Sequence, residues 1–453
     1  MRYEDDYDEY DDYEYVRRKR NASSKSRPVS GGGKNGTRSG SRSAASASRH
    51  SSAGAKGSAK SASRSAAASG TKKSPARKST AYYDYYEEDK LAAVDKKRKS
   101  RSEKQKKAKK KRRRLIAVIA LEMVLLAVVL VFIWGISKYD MIQKPNWGKS
   151  EVPRNTDIAE EVVEQMLTGY TDIMIFGVDG ISTLESGAGG DVNILVHIDN
   201  ATGEVKLVSF YRDLYLNTGG NSFRKLTDIY RSDGPMGAMG ALNTNLDLNI
   251  EQFVTVNWAT VAETINLLDG IDILVPDEMM REINGYITET VETTGIGSTQ
   301  LAGGGFQHLD GVQTVAFCRI RHINVPGYSI ADYGRTERQR EVIGLLLQRV
   351  KESDLNTIGS IADLMLPATY TNLELADVLG MISRVLTYHI PDEDGTRGYP
   401  FNQISPDNSM VISTDTLGDI QALHEYLYGT EDGYTVSESA RNIAKKLTNI
   451  TGY

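Results

Sequence analysis

A run of 22 residues, apolar except for Glu122, extends from Leu115 to Ile136. As a helix it would be roughly 33 Å long at about 1.5 Å per residue, enough to cross a bilayer core of about 30 Å. Nine lysines and arginines stand at 104–114 before it, whereas residues 137–140 after it carry one lysine. By the positive-inside rule, we expect a single-pass type II protein of the cell membrane, with a cytoplasmic N-terminus and an extracytoplasmic body.

The residues before this segment differ in charge from those after it. Residues 1–114 carry 33 Lys and Arg against 14 Asp and Glu, whereas the remainder carries 22 against 45, so the net charge of −4 combines +19 and −23. Low-complexity and tyrosine-acidic stretches predict a disordered cytoplasmic tail over 1–114. A solvated tether is the simplest interpretation of this tail, and binding to anionic lipid, nucleic acid or a cytoplasmic partner is the alternative. The tail lacks a helix-turn-helix pattern, which argues against nucleic acid and against a transcriptional regulator.

The residues after the apolar run alternate strand-like and helix-like patterns. We predict a stalk with an entry helix at 137–169, a folded domain at 170–430 and a C-terminal extension at 431–453. The only cysteine, Cys318, excludes an intramolecular disulfide, so the domain must be held together by its core. Strands are predicted at 172–178, 192–198, 205–210, 253–256 and 270–276, and helices at 236–246, 259–268, after Gly334 and near 373–387.

Two of these strands form a predicted antiparallel hairpin with charged residues at one end. Asp191 opens the second strand, and Arg212 follows the third, so the hairpin makes them neighbours. Asp179 follows the first strand and joins them if that strand ends at the same edge. Two carboxylates without a nearby histidine favour Mg²⁺ or Mn²⁺, and the arginine favours a phosphate bound beside the metal.

A second group of cationic residues lies between Cys318 and Arg340. Arg319 and Arg321 are two residues apart, a spacing that places them on one face of a strand. Arg335, Gln339 and Val342 share one face of a predicted helix. Arginine is unfavourable at the positive end of a helix dipole unless an anion compensates it, so this group predicts a phosphate site.

Each of these residues also has an ordinary structural interpretation. Asp179 and Asp213 fit turns or caps, Asp191 fits a strand entry, and Arg212 fits a surface ion pair. Packing is the simplest role for Cys318, because no histidine with an Asn or Asp partner is evident near it. Only the joint occurrence of the acids, the arginines and a cationic helix start favours a functional site.

The same segments resemble the LytR-CpsA-Psr phosphotransferases of Gram-positive cell walls. The resemblance covers about Tyr170 to Gly429, behind the membrane anchor that the family usually has. The matching segments are 175–179, the Asp191 strand, 207–213, Lys225 with Tyr230, 256–258, 270–273, 309–311, Arg319-Ile320-Arg321 and 332–339. The implied fold class is α/β: an α-β-α sandwich whose mixed sheet contains an antiparallel hairpin, behind a transmembrane helix and a disordered tail.

The resemblance also implies an activity and a set of site residues. Such enzymes transfer a glycopolymer with its phosphate from an undecaprenyl-diphosphate carrier to peptidoglycan. The metal ligands would be Asp179 and Asp191, and Asp332 would position the phosphate or help to deprotonate the acceptor. The lipid chain would enter an apolar pocket in the core. The diphosphate ligands would be Arg212, Lys225, Arg319, Arg321, Arg335 and Gln339, and the residues assigned to catalysis are Asp191, Arg212, Arg319, Arg321 and Asp332.

The chain departs from the family pattern at two positions. Gly189 and Gly190 stand where an arginine usually precedes the second aspartate, and Tyr211 replaces a common proline. The first departure removes a potential phosphate ligand. It therefore leaves a non-catalytic protein that binds polyprenyl lipid or wall polymer as an alternative to the transferase. The nearest enzymatic alternative is a polyprenyl-diphosphate pyrophosphatase, which only the absence of a glycan acceptor product would distinguish.

Overall fold

A computed structural model describes residues 81–179, 184–325, 327–406, 409–429 and 434–453. The chain divides into two compact units, Met1–Met123 and Val124–Tyr453. The described part of the first unit is helical, and the second unit contains an α/β body.

The first helix is long, and the sequence predicted only its residues 115–136 as helical. The helices, in chain order, are α1 Ala81–Tyr139, α2 Glu160–Gly169, α3 Leu226–Leu246, α4 Trp258–Leu267, α5 Met280–Thr294, α6 Gly311–Arg319, α7 Ala331–Glu352, α8 Leu355–Met365, α9 Leu375–Arg384, α10 Thr416–Tyr428 and α11 Glu438–Thr451. The strands are β1 Tyr170–Val178, β2 Gly190–Asp199, β3 Val205–Phe210, β4 Tyr215–Asn217, β5 Phe223–Lys225, β6 Gln252–Asn257, β7 Ile271–Val275, β8 Gly305–Leu309, β9 Tyr370–Thr371, β10 Thr396–Tyr399, β11 Gln403–Ile404 and β12 Ile412–Ser413.

Helix α1 corrects part of the predicted disorder. Residues 81–114 are helical rather than disordered, because Ala, Lys, Arg and Glu, which are frequent there, have high helix propensity even where they bury nothing. Residues 1–80 of the predicted tail lie outside the described residues. Among the residues that were placed, no helix is long and apolar enough to cross a membrane. The predicted membrane segment 115–136 lies within α1, and the side chains of residues 127, 128 and 130–134 are outside the described set.

The central sheet has six strands in the order β10-β3-β2-β1-β6-β9. Strand β2 pairs antiparallel with both β1 and β3, whereas β1 pairs parallel with β6 and β3 parallel with β10. The predicted mixed sheet with an antiparallel hairpin is therefore confirmed. The strand predicted at 270–276 forms, but it pairs with β8 in a separate two-stranded ribbon.

Side-chain alternation along β2 places a core on each face of the sheet. Leu195 belongs to a core shared with α3 and α10, whereas Ile194 and Ile198 belong to a second core that includes Ile343 of α7. Because successive strand residues point to opposite faces, both faces are apolar and both are covered by helices. This arrangement is the predicted α-β-α sandwich.

Both segments that were predicted to flank the domain are part of its core. The predicted stalk buries Val152, Ile158 and Met166, and Trp147 stacks on Phe253 with 5.5 Å between ring centroids. In the predicted extension, helix α11 is amphipathic and buries an alanine and leucine stripe at Ala440, Ala444 and Leu447. The boundaries at 170 and 430 are therefore wrong, because apolar faces at both ends of the segment require burial.

A buried aspartate connects these two ends. Asp247 is fully buried after α3 in the left-handed conformation, with φ of 54°. Its carboxylate accepts hydrogen bonds from Asn155 Nδ2 at 2.6 Å, from the Ser437 N–H and hydroxyl at 2.7 Å each, and from the Tyr434 hydroxyl at 2.8 Å. One side chain thus joins the N-terminal segment, α3 and α11.

Replacing Asp247 with alanine is expected to lower the free energy of unfolding by about 3 kcal/mol or more, because three buried donors and the part-buried Tyr434 hydroxyl lose their acceptor. Thermal and urea unfolding of the full chain, followed by circular dichroism, would measure the loss. Asp157→Ala is the matched control, since this exposed aspartate accepts from the Ser439 N–H at the start of α11, the helix that Asp247 also contacts. An equal loss in both variants would contradict the role assigned to Asp247.

Candidate active site

The ends of β1, β2 and β3 bring three predicted charged residues to one edge of the sheet. Val178 pairs with Gly190, so Asp179 follows β1 beside the start of β2. Asp191 Oδ1 accepts a hydrogen bond of 2.8 Å from Arg212 Nη1. The predicted convergence of Asp179, Asp191 and Arg212 is confirmed: all three line one pocket.

The start of α7 faces the same pocket. The buried face Arg335, Gln339 and Val342 forms as predicted. Arg335 Nη2 donates to the Asp191 carbonyl oxygen at 3.1 Å and lies 2.9 Å from Asp332 Oδ1. A side chain that is only 5% exposed therefore connects the helix to the strand that carries Asp191.

Arg319 and Arg321 do not lie on a strand. Arg319 ends helix α6, which begins with a capping box between Asp310 and Gln313, and Arg321 lies in the following loop. The prediction of a strand is wrong because the capping box and the buried face of α6 favour a helix up to Arg319. Both arginines nevertheless line the pocket.

Aromatic and acidic side chains from other elements hold Arg319. Its guanidinium lies 3.9 Å from the Trp258 ring centroid and 4.8 Å from that of Tyr286. Its Nη2 pairs with Glu289 Oε1 at 2.6 Å, and its Nη1 donates to Thr290 Oγ1 at 2.9 Å. Arg319 is therefore oriented before any ligand binds.

The pocket has a volume of about 290 Å³. Seven of the nine predicted site residues line it, whereas Lys225 and Asp332 do not. Lys225 Nζ lies 3.5 Å from Asp213 Oδ1, and Asp213 also contacts Arg212 at 3.4 Å. The lining residues are Asp179, Gly189, Asp191, Val192, Arg212, Arg231, Trp258, Tyr286, Glu289, Cys318, Arg319, Arg321, Arg335 and Gln339.

Several lining residues were not predicted as site residues. Trp258 had a usable signal, because it directly follows β6 and parallel pairing places Asn257 opposite Val178. Tyr286, Glu289 and Arg231 come from helices whose packing no local pattern specifies. Cys318 also lines the pocket, but burial raises the pKa of its thiol to about 12, so it is not a thiolate nucleophile at neutral pH.

The electrostatics of the pocket favour an anion. Five arginines and three carboxylates line it, which leaves a net charge of +2. Burial alone would lower the pKa of Arg212, but Asp191 and Asp213 outweigh burial and raise it, so this guanidinium stays charged. Arg335 Nε and Gln339 Oε1 are buried without a hydrogen-bond partner among the described residues. A buried donor of this kind fits a ligand that supplies acceptor oxygens.

Two carboxylates in this pocket could bind a divalent cation. The described residues contain no group of three or more His, Cys, Asp or Glu side chains that could hold a metal by themselves. Mg²⁺ is commonly bound through one or two carboxylates together with substrate phosphates. Asp179 and Asp191 therefore fit a cation that also binds phosphate oxygens, and the arginines beside them fit the remaining charge.

Arg338 has a different role from its neighbours in the same motif. It is 2% exposed, its Nε donates to the Phe317 carbonyl oxygen at 3.1 Å, and its Nη2 donates to that of Ile320. Its guanidinium also lies 5.1 Å from the Tyr328 ring centroid. Arg338 thus positions the end of α6, which carries Arg319.

Replacing Arg338 with alanine is expected to reduce the free energy of unfolding by about 3 kcal/mol, since two buried carbonyl groups lose their donor and a cavity opens. Differential scanning calorimetry of the full chain would measure this. Arg349→Ala on the same helix is the control, because Arg349 is 30% exposed and pairs with the half-exposed Asp272. A loss of about 1 kcal/mol or less is expected there, and equal losses in the two variants would refute the structural role of Arg338.

Two curated proteins with similar sequences are transferases. The chain is 25% identical over 268 residues to the polyisoprenyl-teichoic acid–peptidoglycan teichoic acid transferase TagV of Bacillus subtilis, a match covering 57% of this chain and 65% of that relative. It is 27% identical over 238 residues to TagU of Enterococcus faecalis, covering 51% and 67%. The chain thus spans just under two thirds of the length of TagV.

A solved structure and a family model give the broader assignment. Protein gbs0355 from Streptococcus agalactiae shares the fold with a TM-score of 0.51 at 20% identity, covering 65% of this chain and 98% of that one. Residues 140–396, more than half of the chain, match the model of the LytR_cpsA_psr family. The chain belongs to the LytR-CpsA-Psr family.

Proposed function

We propose that this protein transfers a glycopolymer with its phosphate from a polyprenyl-diphosphate carrier to a hydroxyl group of peptidoglycan. The observation that carries the proposal is the pocket in which Asp179 and Asp191 stand beside five arginines, with Arg335 Nε unsatisfied among the described residues. Phosphoryl transfer depends mainly on positioning and charge stabilisation, and this pocket has the groups for both.

In the proposed reaction, the acceptor hydroxyl oxygen forms a bond to the phosphorus that carries the glycan. The bond from that phosphorus to the bridging oxygen breaks, and polyprenyl phosphate leaves with the proton of the hydroxyl group. Arg212, Arg321 and Arg335 would bind the phosphate oxygens. When bound at Asp179 and Asp191, Mg²⁺ or Mn²⁺ would neutralise charge on the diphosphate.

The contacts of Asp332 and Lys225 favour supporting roles for both. Asp332 pairs with Arg335 at 2.9 Å and does not line the pocket, so we assign it the orientation of that arginine. Lys225 is 3.5 Å from Asp213, which in turn contacts Arg212. Lys225 would therefore help to position Arg212, by way of Asp213, rather than bind the diphosphate directly.

The proposed setting is the outer face of the cell membrane, with residues 115–136 as the anchor. The apolar run and the basic residues before it support this placement. Undecaprenyl-diphosphate-linked glycan and peptidoglycan would then be the two substrates. The relatives named as polyisoprenyl-teichoic acid–peptidoglycan teichoic acid transferases make teichoic acid a reasonable first glycopolymer to test.

The test is incubation of the full chain, purified in detergent, with a polyprenyl-diphosphate-linked glycan, Mg²⁺ and peptidoglycan fragments. We expect release of polyprenyl phosphate together with a glycan joined to the fragments by a phosphodiester. Release of polyprenyl phosphate with free glycan phosphate would instead identify a pyrophosphatase. Binding without release of any product, over a set of lipid-linked glycans, would identify a non-catalytic lipid-binding protein and refute the proposal.

A further inference from the structure

Arg231 lies in the first part of α3, before the helix is interrupted at Gly234. Arg231 lines the same pocket as Asp179 and Asp191, although its position in the sequence, 40 residues after Asp191, does not indicate this. The side chain is 52% exposed, so it is accessible to a ligand that enters from solvent.

Gly189 provides the space that this guanidinium occupies. A Cβ atom at position 189 would lie 2.9 Å from Arg231 Nη2 and 2.7 Å from Thr227 Oγ1. Contacts this short do not occur, so a side chain at this position would displace the guanidinium. Gly189 is two residues before Asp191, in the stretch where the sequence lacks the arginine of the family pattern. Arg231 of α3 therefore lies against the backbone of Gly189, in the stretch where that arginine is missing.

Asp228 orients the guanidinium. Arg231 Nη1 pairs with Asp228 Oδ1 at 2.5 Å, three residues earlier on the helix. Nη2, which faces Gly189, makes no hydrogen bond within the described part of the chain. One edge of the guanidinium is thus held by the protein, and the other remains available to an acceptor.

The charge of the pocket depends on this arginine. Without Arg231, four arginines would face three carboxylates, and the net charge of the lining would fall from +2 to +1. A diphosphate diester carries two negative charges. The fifth arginine therefore adds positive charge that favours this dianionic ligand.

We propose that Arg231 is a substrate-binding residue that contacts the lipid-linked diphosphate, and that Gly189 lacks a side chain so that Arg231 can reach the pocket. This inference rests on the proposed function. It goes beyond that function because it assigns phosphate binding to a residue of α3. The site as described so far contains the charged residues at the ends of the strands and the arginines of α6, α7 and the loop between them.

The test is the affinity of the full chain in detergent for octaprenyl diphosphate with Mg²⁺, measured by isothermal titration calorimetry. Arg231→Ala is expected to weaken binding about tenfold, as for the loss of one charge-assisted hydrogen bond. The affinity of Arg231→Lys should lie between those of the unmodified chain and Arg231→Ala, because lysine keeps the charge but loses the forked geometry of the guanidinium. Gly189→Ala should also weaken binding, because its side chain would displace Arg231. The Gly189→Ala/Arg231→Ala double variant should lose less binding free energy than the sum of the two single losses, since both changes remove the same contact.

Arg441→Ala is the control, since it removes the same charge from an exposed position on α11 and should bind like the unmodified chain. Octaprenol, which lacks phosphate, should bind the unmodified chain and Arg231→Ala equally. Melting temperatures should agree within about 2 °C for Arg231→Ala, because the side chain is half-exposed. If the unmodified chain binds the diphosphate and Arg231→Ala binds it equally well, this inference is wrong while the proposed function stands. If the unmodified chain does not bind the diphosphate, the proposed function itself fails.

Discussion

Replacing Asp191 with asparagine is expected to lower the rate of polyprenyl phosphate release about a thousandfold. The carboxylate pairs with Arg212 at 2.8 Å, and the backbone carbonyl of the same residue accepts from Arg335 at 3.1 Å. Asparagine keeps the size and one oxygen but removes the negative charge. The variant therefore loses both a proposed cation ligand and the partner that orients Arg212.

The measurement is single-turnover release from a lipid-linked glycan at several Mg²⁺ concentrations. The unmodified chain is expected to respond to Mg²⁺, whereas Asp191→Asn should remain slow even at the highest concentration. Asp277→Asn is the matched control, because this exposed aspartate accepts a hydrogen bond from the Gly304 N–H outside the pocket. Full activity of Asp191→Asn with an unchanged response to Mg²⁺ would rule out the site as described.

Replacing Arg335 with lysine is expected to reduce the rate about a hundredfold or more. Arg335 contacts both the Asp191 backbone and Asp332, and its Nε is buried without a partner among the described residues. Lysine has one charged nitrogen, so it cannot keep these contacts and also donate to a phosphate. The loss should appear mainly in the rate, with a smaller effect on the stability of the fold.

Arg349→Lys supplies the comparison on the same helix, since Arg349 lies outside the pocket. Its rate should match that of the unmodified chain. Together with Arg338→Ala, these variants separate two roles within one motif: Arg335 should affect the rate, and Arg338 the melting temperature. Equal rates in Arg335→Lys and Arg349→Lys would show that the buried arginine does not act on the substrate.

The parts of the site that were predictable depend on short-range patterns. The hairpin of β2 and β3 follows from alternation along each strand and a turn between them, and it places Asp191 beside Arg212. The shared face of Arg335 and Gln339 follows from the helical repeat. These relations involve residues close in sequence or joined by one turn, so periodicity is sufficient to predict them.

The features that the sequence predicted wrongly, or did not predict, depend on contacts between distant segments of the chain. Arg319 was expected on a strand, but α6 continues to it, and Trp258 and Glu289 hold its guanidinium. The boundaries of the domain were also wrong, because burial of Asp247 requires residues from both ends of the body. No local pattern specifies partners that lie 30 to 190 residues away in the chain.

The sequence by itself determined the mixed α/β fold, the apolar segment with its basic flank, and the acidic and cationic ends of the central strands. Each of these depends on hydrophobic periodicity or local charge, which are properties of short stretches. Only the tertiary structure decided that Arg231 stands against Gly189 and that Arg319 lies against two aromatic rings. The packing of α3 against β2, and of α5 against α6, determines these contacts, because close packing brings together side chains that share no pattern along the chain.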